Sequence, residues 1–113
     1  MLDLRLYMAQ RITAMLMAPF VLVHLGVMIY AIQGGLSAAE ILGRTQGSVL
    51  WFLFYGGFVI AVAIHASIGL RVIAHELLGL GQRALDAVMW GAGALLLTLG
   101  GWSVLAVTLG PGQ

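Results

Sequence analysis

The stretch that decides the fold is Val49–Ala74, with the sequence VLWFLFYGGFVIAVAIHASIGLRVIA. A helix needs about 20 mainly apolar residues to cross the hydrocarbon core of a bilayer, and this run is long enough. Similar apolar runs lie on either side of it, at Ile12–Ile32 and Ala87–Leu109. The sequence therefore predicts an all-α membrane protein with three transmembrane helices that form part of a multi-subunit helical bundle. The predicted helices cover about residues 11–33, 48–76 and 84–109, within one transmembrane domain of residues 1–113.

Composition excludes several other classes of protein. Hydrophobic residues make up 62% of the 113 residues and charged residues only 8%, whereas a soluble domain has about 25% charged residues. The chain has no cysteine, so it can hold neither a disulfide nor a cysteine-ligated zinc ion or iron–sulfur cluster. Its formal net charge of +1 excludes a large basic surface, so nucleic acid is not an expected partner.

The arginines predict the orientation of the chain. Arg5 and Arg11 precede the first apolar run, and Arg71 and Arg83 flank the connection between the second and third runs. Arg44 lies on the opposite side. Because segments rich in arginine and lysine stay on the cytoplasmic side, we expect a cytoplasmic amino terminus. We therefore expect a multi-pass protein of a bacterial-type inner (cytoplasmic) membrane.

Local signals mark the connections between the helices. Ser37 and Glu40 have the spacing of a capping box, which predicts a short surface helix at about residues 37–43. Gly79 marks the turn between the second and third helices, because glycine readily ends a helix. Asp86 is predicted to cap the third helix, since a carboxylate accepts hydrogen bonds from the first free backbone N–H groups.

Two histidines, His24 and His65, lie within the predicted membrane helices. An ionisable ring in a lipid-facing segment is costly, so each is a packing residue, a proton relay or a metal ligand. Gly57, Ala61 and Gly69 recur with His65 at four-residue spacing, which places them on one helix face. Small residues leave a flat slot beside the imidazole, and a planar macrocycle fits such a slot. This pattern favours His65 as a ligand to a b-type haem, whereas His24 is either a ligand or a neutral ring that donates to a backbone carbonyl across the bundle.

The depths of the two histidines indicate separate sites. His65 lies six residues before Arg71, about 9 Å along the helix axis, and His24 lies thirteen residues after Arg11, about 20 Å along it. The two rings therefore differ in depth by about 10 Å, whereas two axial ligands of one iron lie about 4 Å apart. We expect one ligand to an inner haem and one to an outer haem, each completed by a partner subunit.

Polar residues near the inner surface are candidate contacts for anionic haem propionates or a quinone. Arg11 and Arg71 are positioned as membrane anchors that also pair with propionates. Arg71 is about 240° around the helix from His65, so we expect it to point at a partner or a quinone. Thr13 offers a hydrogen bond to a quinone carbonyl, and His75 serves the solvated boundary, a propionate or a quinone.

Three motifs carry a family resemblance. The run His65–Arg71, HASIGLR, followed by Glu76, resembles the signature His-x3-Gly-x-Arg-x4-Asp/Glu. That signature belongs to the cytochrome b anchor subunits of succinate dehydrogenase and fumarate reductase, respiratory complex II. Gln10–Ala14, QRITA, is similar to the family motif His-Arg-x-Ser-Gly in the first helix. Pro19–Leu25, PFVLVHL, resembles the two-haem anchors, whose first helix ligates the outer haem.

The resemblance implies a role for several residues. By resemblance, His65 is an axial ligand of haem b, His24 ligates a second haem, and Arg11 lies near the quinone and the propionates. Tyr7 stands where the family has a serine that contacts quinone. The implied cofactors are one or two haems b, with ligands shared with a partner subunit, and quinone is the implied substrate.

The resemblance also implies the partners. FAD and iron–sulfur clusters belong only to partner subunits, namely a flavoprotein and an iron–sulfur protein, and a second membrane-anchor subunit completes the bundle in the lipid. The chain is then a non-catalytic membrane anchor and electron-transfer subunit of a succinate:quinone oxidoreductase or fumarate reductase. Three alternatives stay open: a haemless anchor or assembly subunit, a haem b subunit of another respiratory dehydrogenase such as a hydrogenase, and a small transporter or channel subunit.

Overall fold

The computed structural model describes residues 3–109, and its described part contains four α-helices and no strand. They are α1 (Leu4–Gly34), α2 (Ala38–Thr45), α3 (Val49–Leu78) and α4 (Gln82–Thr108). Helices α1, α3 and α4 are each long and apolar enough to cross a membrane. This confirms the predicted all-α membrane fold with three transmembrane helices.

Helix α1 begins seven residues earlier than the predicted start at about residue 11. Asp3 accounts for the early start, because its Oδ1 accepts a hydrogen bond from the Leu6 backbone N–H at 2.9 Å. The segment before Arg11 is therefore the first two turns of α1. The helix continues through Pro19 and ends at Gly34.

The predicted surface helix α2 and its Ser37 cap are confirmed. Ser37 Oγ accepts a hydrogen bond from the Glu40 backbone N–H at 3.2 Å and donates to the Glu40 carboxylate at 2.8 Å. Helix α2 extends two residues beyond the predicted end, to Thr45. At the far end of α3, Gly79 adopts the left-handed conformation, with φ of +63°, which glycine takes without steric cost.

The predicted cap of α4 is wrong. Gly81 is the N-cap residue and the helix begins at Gln82, so Asp86 lies inside the helix rather than at its start. The carboxylate of Asp86 instead pairs with Arg71 across the α3–α4 interface, at 2.5 Å between Oδ1 and Nη1. Asp86 thus pairs with a charged residue on the neighbouring helix and does not cap the free backbone N–H groups at the start of α4.

Helix α3 lies at the centre of the bundle and packs antiparallel to both α1 and α4. Most of its contacts are with α4, and the completely buried Leu85 lies on that helix. Gly100 of α4 lets the two backbones approach closely, because a Cβ there would lie 2.6 Å from Val59 Cγ1. The α3–α4 hairpin is therefore the tightly packed part of the chain.

Helix α1 joins this hairpin through one narrow seam. From residue 10 to residue 31, its partly or fully buried positions recur at alternating spacings of three and four. They are Gln10, Thr13, Met17, Phe20, His24, Val27 and Ala31. This is the spacing of a coiled-coil seam, in which one stripe faces the neighbouring helix. The other faces of α1 are exposed, so they are available to lipid or to another subunit.

Helix α2 lies across the end of the bundle opposite the arginine-rich end, which carries the start of α1 and the α3–α4 turn. Thr45 Oγ1 donates to the Val107 carbonyl at 2.5 Å, and the Gly47 backbone N–H donates to the Thr108 carbonyl at 2.7 Å. Arg44 donates to the Gly35 carbonyl at 3.1 Å. These bonds satisfy carbonyls that have no partner within their own helices.

We predict that Gly100→Ala destabilises the bundle by about 1–3 kcal/mol, because overpacking forces α3 and α4 apart at Val59. The measurement is thermal unfolding of the detergent-purified protein. Gly91→Ala is the matched control, since a Cβ at that site of α4 meets no atom within 4 Å. Equal stability of the two variants would contradict the close approach, and Val59→Ala should partly rescue Gly100→Ala.

Candidate functional site

Arg71 is the most buried charged side chain of α3, with 3% of its surface exposed. Its partner Asp86 is 51% exposed, and the buried Arg71 Nε has no hydrogen-bond partner. The guanidinium faces α4, where the Asp86 carboxylate pairs with it, and the expected contact of Arg71 with a partner subunit or a quinone stays a prediction. Arg71 lies about 240° around α3 from His65. It is therefore at the α3–α4 interface, whereas His65 is at the α1–α3 interface.

His65 lies in the α1–α3 seam, opposite Thr13. The His65 Nδ1 atom is 3.5 Å from Thr13 Oγ1. Thr13 is 5% exposed, and its hydroxyl also contacts the carbonyl of Ala9 at 2.7 Å and that of Gln10 at 3.1 Å. The half-buried imidazole is thus held between two helices rather than turned into lipid.

The imidazole of His65 also borders a shallow groove of about 470 Å³ on the surface of α1. The rest of the groove is lined by Ala14, Met17, Ala18, Val21 and Leu22. Arg11 lies three residues before Ala14, about 60° around the helix and about 4.5 Å along it, so it stands at the arginine-rich end of the groove. Arg11 is exposed, and Nη1 donates to the Tyr7 hydroxyl at 3.4 Å.

His24 occupies the same seam nearer the α2 end. Its ring contacts Phe58 at 5.3 Å and Tyr55 at 6.4 Å between ring centroids. Within residues 3–109 the ring nitrogens of His24 have no hydrogen-bond partner. The ring borders two clefts, one of about 760 Å³ shared with Arg44 and Trp51, and one of about 350 Å³ that reaches α4.

The two histidines are too far apart to bind one iron. His24 is eleven residues beyond Thr13 on α1, about 16 Å along the axis, and Thr13 is level with His65. On α3 the ring partner of His24, Phe58, lies seven residues before His65, about 10 Å along the axis. The estimate along α3 agrees with the depth difference of about 10 Å expected from the sequence, and the estimate along α1 exceeds it.

The small-residue face of α3 does not leave an open slot. Phe20 lies over Gly57, where a Cβ would be 3.2 Å from Phe20 Cζ, and Gln10 Nε2 lies beside Gly69. The predicted slot for a macrocycle on this face is therefore wrong, because the α1 seam fills it. The groove that borders His65 is instead on α1.

The remaining predicted residues lie apart from this groove. His75 is exposed in the last turn of α3, ten residues and about 15 Å beyond His65. Among the side chains of the described range, no group of three or more His, Cys, Asp or Glu residues is placed to hold a metal ion. The structure thus brings Thr13 and His65 together and separates His24 and His75 from them.

Residues 2–107 match the family described as succinate dehydrogenase/fumarate reductase transmembrane subunit. The chain belongs to this family. The match spans all three membrane helices, so the chain is a membrane subunit of that kind of complex. Comparisons with curated proteins and with solved structures found no match.

Sequence reasoning missed two features of this anchor subunit. The Arg71–Asp86 pair was detectable, because the two residues lie on either side of the turn at Gly79 and come to similar heights when the hairpin closes. The surroundings of His24 were not detectable from the sequence. Tyr55 and Arg44 are distant from it along the chain, and they line one cleft with it only because of the placement of α2.

We predict that Asp86→Asn destabilises the anchor subunit by about 1–3 kcal/mol, because it leaves the buried Arg71 without a counter-charge. Thermal unfolding of the purified subunit or complex measures the effect. Glu76→Gln is the matched control, as it removes one exposed carboxylate near the same end of the bundle. If both variants unfold at the wild-type temperature, the ion pair does not stabilise the hairpin.

Proposed function

We propose that this subunit anchors a flavoprotein and an iron–sulfur protein to the cytoplasmic face of a bacterial-type inner membrane. It passes electrons between the iron–sulfur chain and a membrane quinone, with haem b as the carrier. The dicarboxylate reaction takes place on the flavoprotein. Family membership supports the anchoring role, and four of the five arginines at one end of the bundle support a cytoplasmic amino terminus.

The observation that carries the haem proposal is the environment of His65. Its ring lies in the bundle, contacts Thr13 with one nitrogen, and borders a groove with apolar walls. Arg11, at the arginine-rich end of that groove, supplies a cation to a propionate, and its present partner is the neutral Tyr7 hydroxyl. Bound haem supplies one-electron transfer. A second membrane-anchor subunit would supply the other ligand, since His24 is too distant.

His24 is proposed as the ligand of a second, outer haem. Its ring has no hydrogen-bond partner in the described part of the chain, and it borders a cleft large enough for a planar cofactor. Arg44 is in the same cleft and provides the positive charge that an anionic group needs. The partner anchor would again supply the second ligand.

A quinone is proposed to bind at the arginine-rich end. Gln10 supports this location, because its Oε1 is buried without a hydrogen-bond partner and can accept from a quinol hydroxyl. Tyr7, Arg11 and His75 are exposed at the same end. The predicted cofactor contacts of Arg71 and Gly69 remain predictions; the Arg71 guanidinium faces α4, and Gly69 faces Gln10 of α1.

A haemless anchor is the second candidate, favoured by the packing of α1 against the small residues of α3. Visible spectroscopy of the isolated, dithionite-reduced complex separates the two. We expect b-type absorption in the wild type and its loss, for the inner haem, in His65→Ala, because the iron loses a ligand. His24→Ala should remove a separate signal, and His75→Ala is the control that retains both. A colourless wild-type complex would contradict the haem proposal and support the haemless anchor.

We also predict that the tagged chain, purified in mild detergent, carries an FAD-containing subunit and an iron–sulfur subunit with it. Flavin fluorescence after denaturation and the electron paramagnetic resonance of the reduced sample measure the two partners. Co-purification of an enzyme without flavin would instead favour an anchor of another dehydrogenase, such as a hydrogenase. The haem assignment and the docking assignment are thus tested by separate readouts.

A further inference from the structure

We propose that Thr13 is a positioning residue that fixes the tautomer of His65, holding the proton on Nδ1 and leaving Nε2 as the iron ligand. The inference rests on the proposed haem function and assigns the coordinating atom within it. Thr13, which the sequence predicted to contact a quinone, is instead the hydrogen-bond partner of His65.

The direction of the hydrogen bond follows from the three neighbours of the Thr13 hydroxyl. A threonine hydroxyl has one proton to donate and two lone pairs that accept. The Ala9 carbonyl is at 2.7 Å, much closer than His65 Nδ1 at 3.5 Å, so the proton goes to Ala9. The lone pairs of Oγ1 are then the groups available to His65, and the imidazole must donate.

Burial strengthens this assignment. Thr13 is 5% exposed within the bundle, so no bulk water competes for its lone pairs. A neutral imidazole carries one N–H, and leaving that N–H unpaired in an apolar region costs free energy. With Nδ1–H directed at Thr13, the lone pair lies on Nε2. That atom is at the other edge of the ring, so it is directed away from Thr13.

The chemical consequence lies in the basicity of the ligand. A ligating histidine that donates its other N–H to an oxygen is held in one orientation and becomes a more basic ligand. A more basic axial ligand stabilises the oxidised iron and lowers the midpoint potential of the haem. Loss of the acceptor oxygen at position 13 should therefore raise that potential.

The test is a redox titration of haem absorbance in the assembled complex carrying Thr13→Val, Thr13→Ala or Thr13→Ser. The valine variant keeps the side-chain volume and the alanine variant avoids crowding, and both remove the acceptor. We expect both to shift the inner-haem potential upward or to lose that haem. The serine variant, which keeps a hydroxyl, should titrate like the wild type.

The outcomes separate this inference from the proposed function. A wild-type complex with haem whose potential and spectrum are the same in all three variants would overturn the role of Thr13 alone. A serine variant that behaves like the valine and alanine variants would also overturn it, because the effect would then be one of packing. A wild-type complex without haem would overturn the proposed function and this inference with it.

Discussion

The structure depends on one constraint: a polar group inside the hydrocarbon layer must find its partner within the protein. Hydroxyl groups of α3 and α4 meet it by donating to carbonyls three or four residues earlier in their own helix. They are Ser67, Thr98, Ser103 and Thr108. Arg71 meets it across the hairpin through Asp86, and His65 meets it across the seam through Thr13. Within the described residues, the His24 ring nitrogens, Gln10 Oε1 and Arg71 Nε have no hydrogen-bond partner.

Sequence reasoning gave the spans and their boundaries where local chemistry controls them. The capping box at Ser37 and the glycine at position 79 were predictable, because each acts on backbone groups a few residues away. The start of α1 was missed, since the apolar pattern begins later than the Asp3 cap. Asp86 was predicted to cap α4, and it pairs with Arg71 instead. A carboxylate near a helix start can cap that helix or pair with a neighbouring helix, and only the packing of the helices decides between the two.

The residues of the candidate site were predicted better than their arrangement in space. His65 and Thr13 do meet, Arg11 lies two residues before Thr13 on α1, and the depth of His24 follows from the 1.5 Å rise of a helix. The packing of α1 against the small-residue face of α3 could not be inferred, because a stripe of small residues can accommodate either another helix backbone or a macrocycle. Which helix pairs with which is a non-local property, and a single sequence contains little information about it.

The narrow seam that holds α1 has a consequence for biogenesis. The α3–α4 hairpin has the tight packing, the ion pair and the close backbone approach at Gly100, whereas α1 is attached along a single stripe. A newly inserted chain can therefore form the hairpin first and admit α1 afterwards.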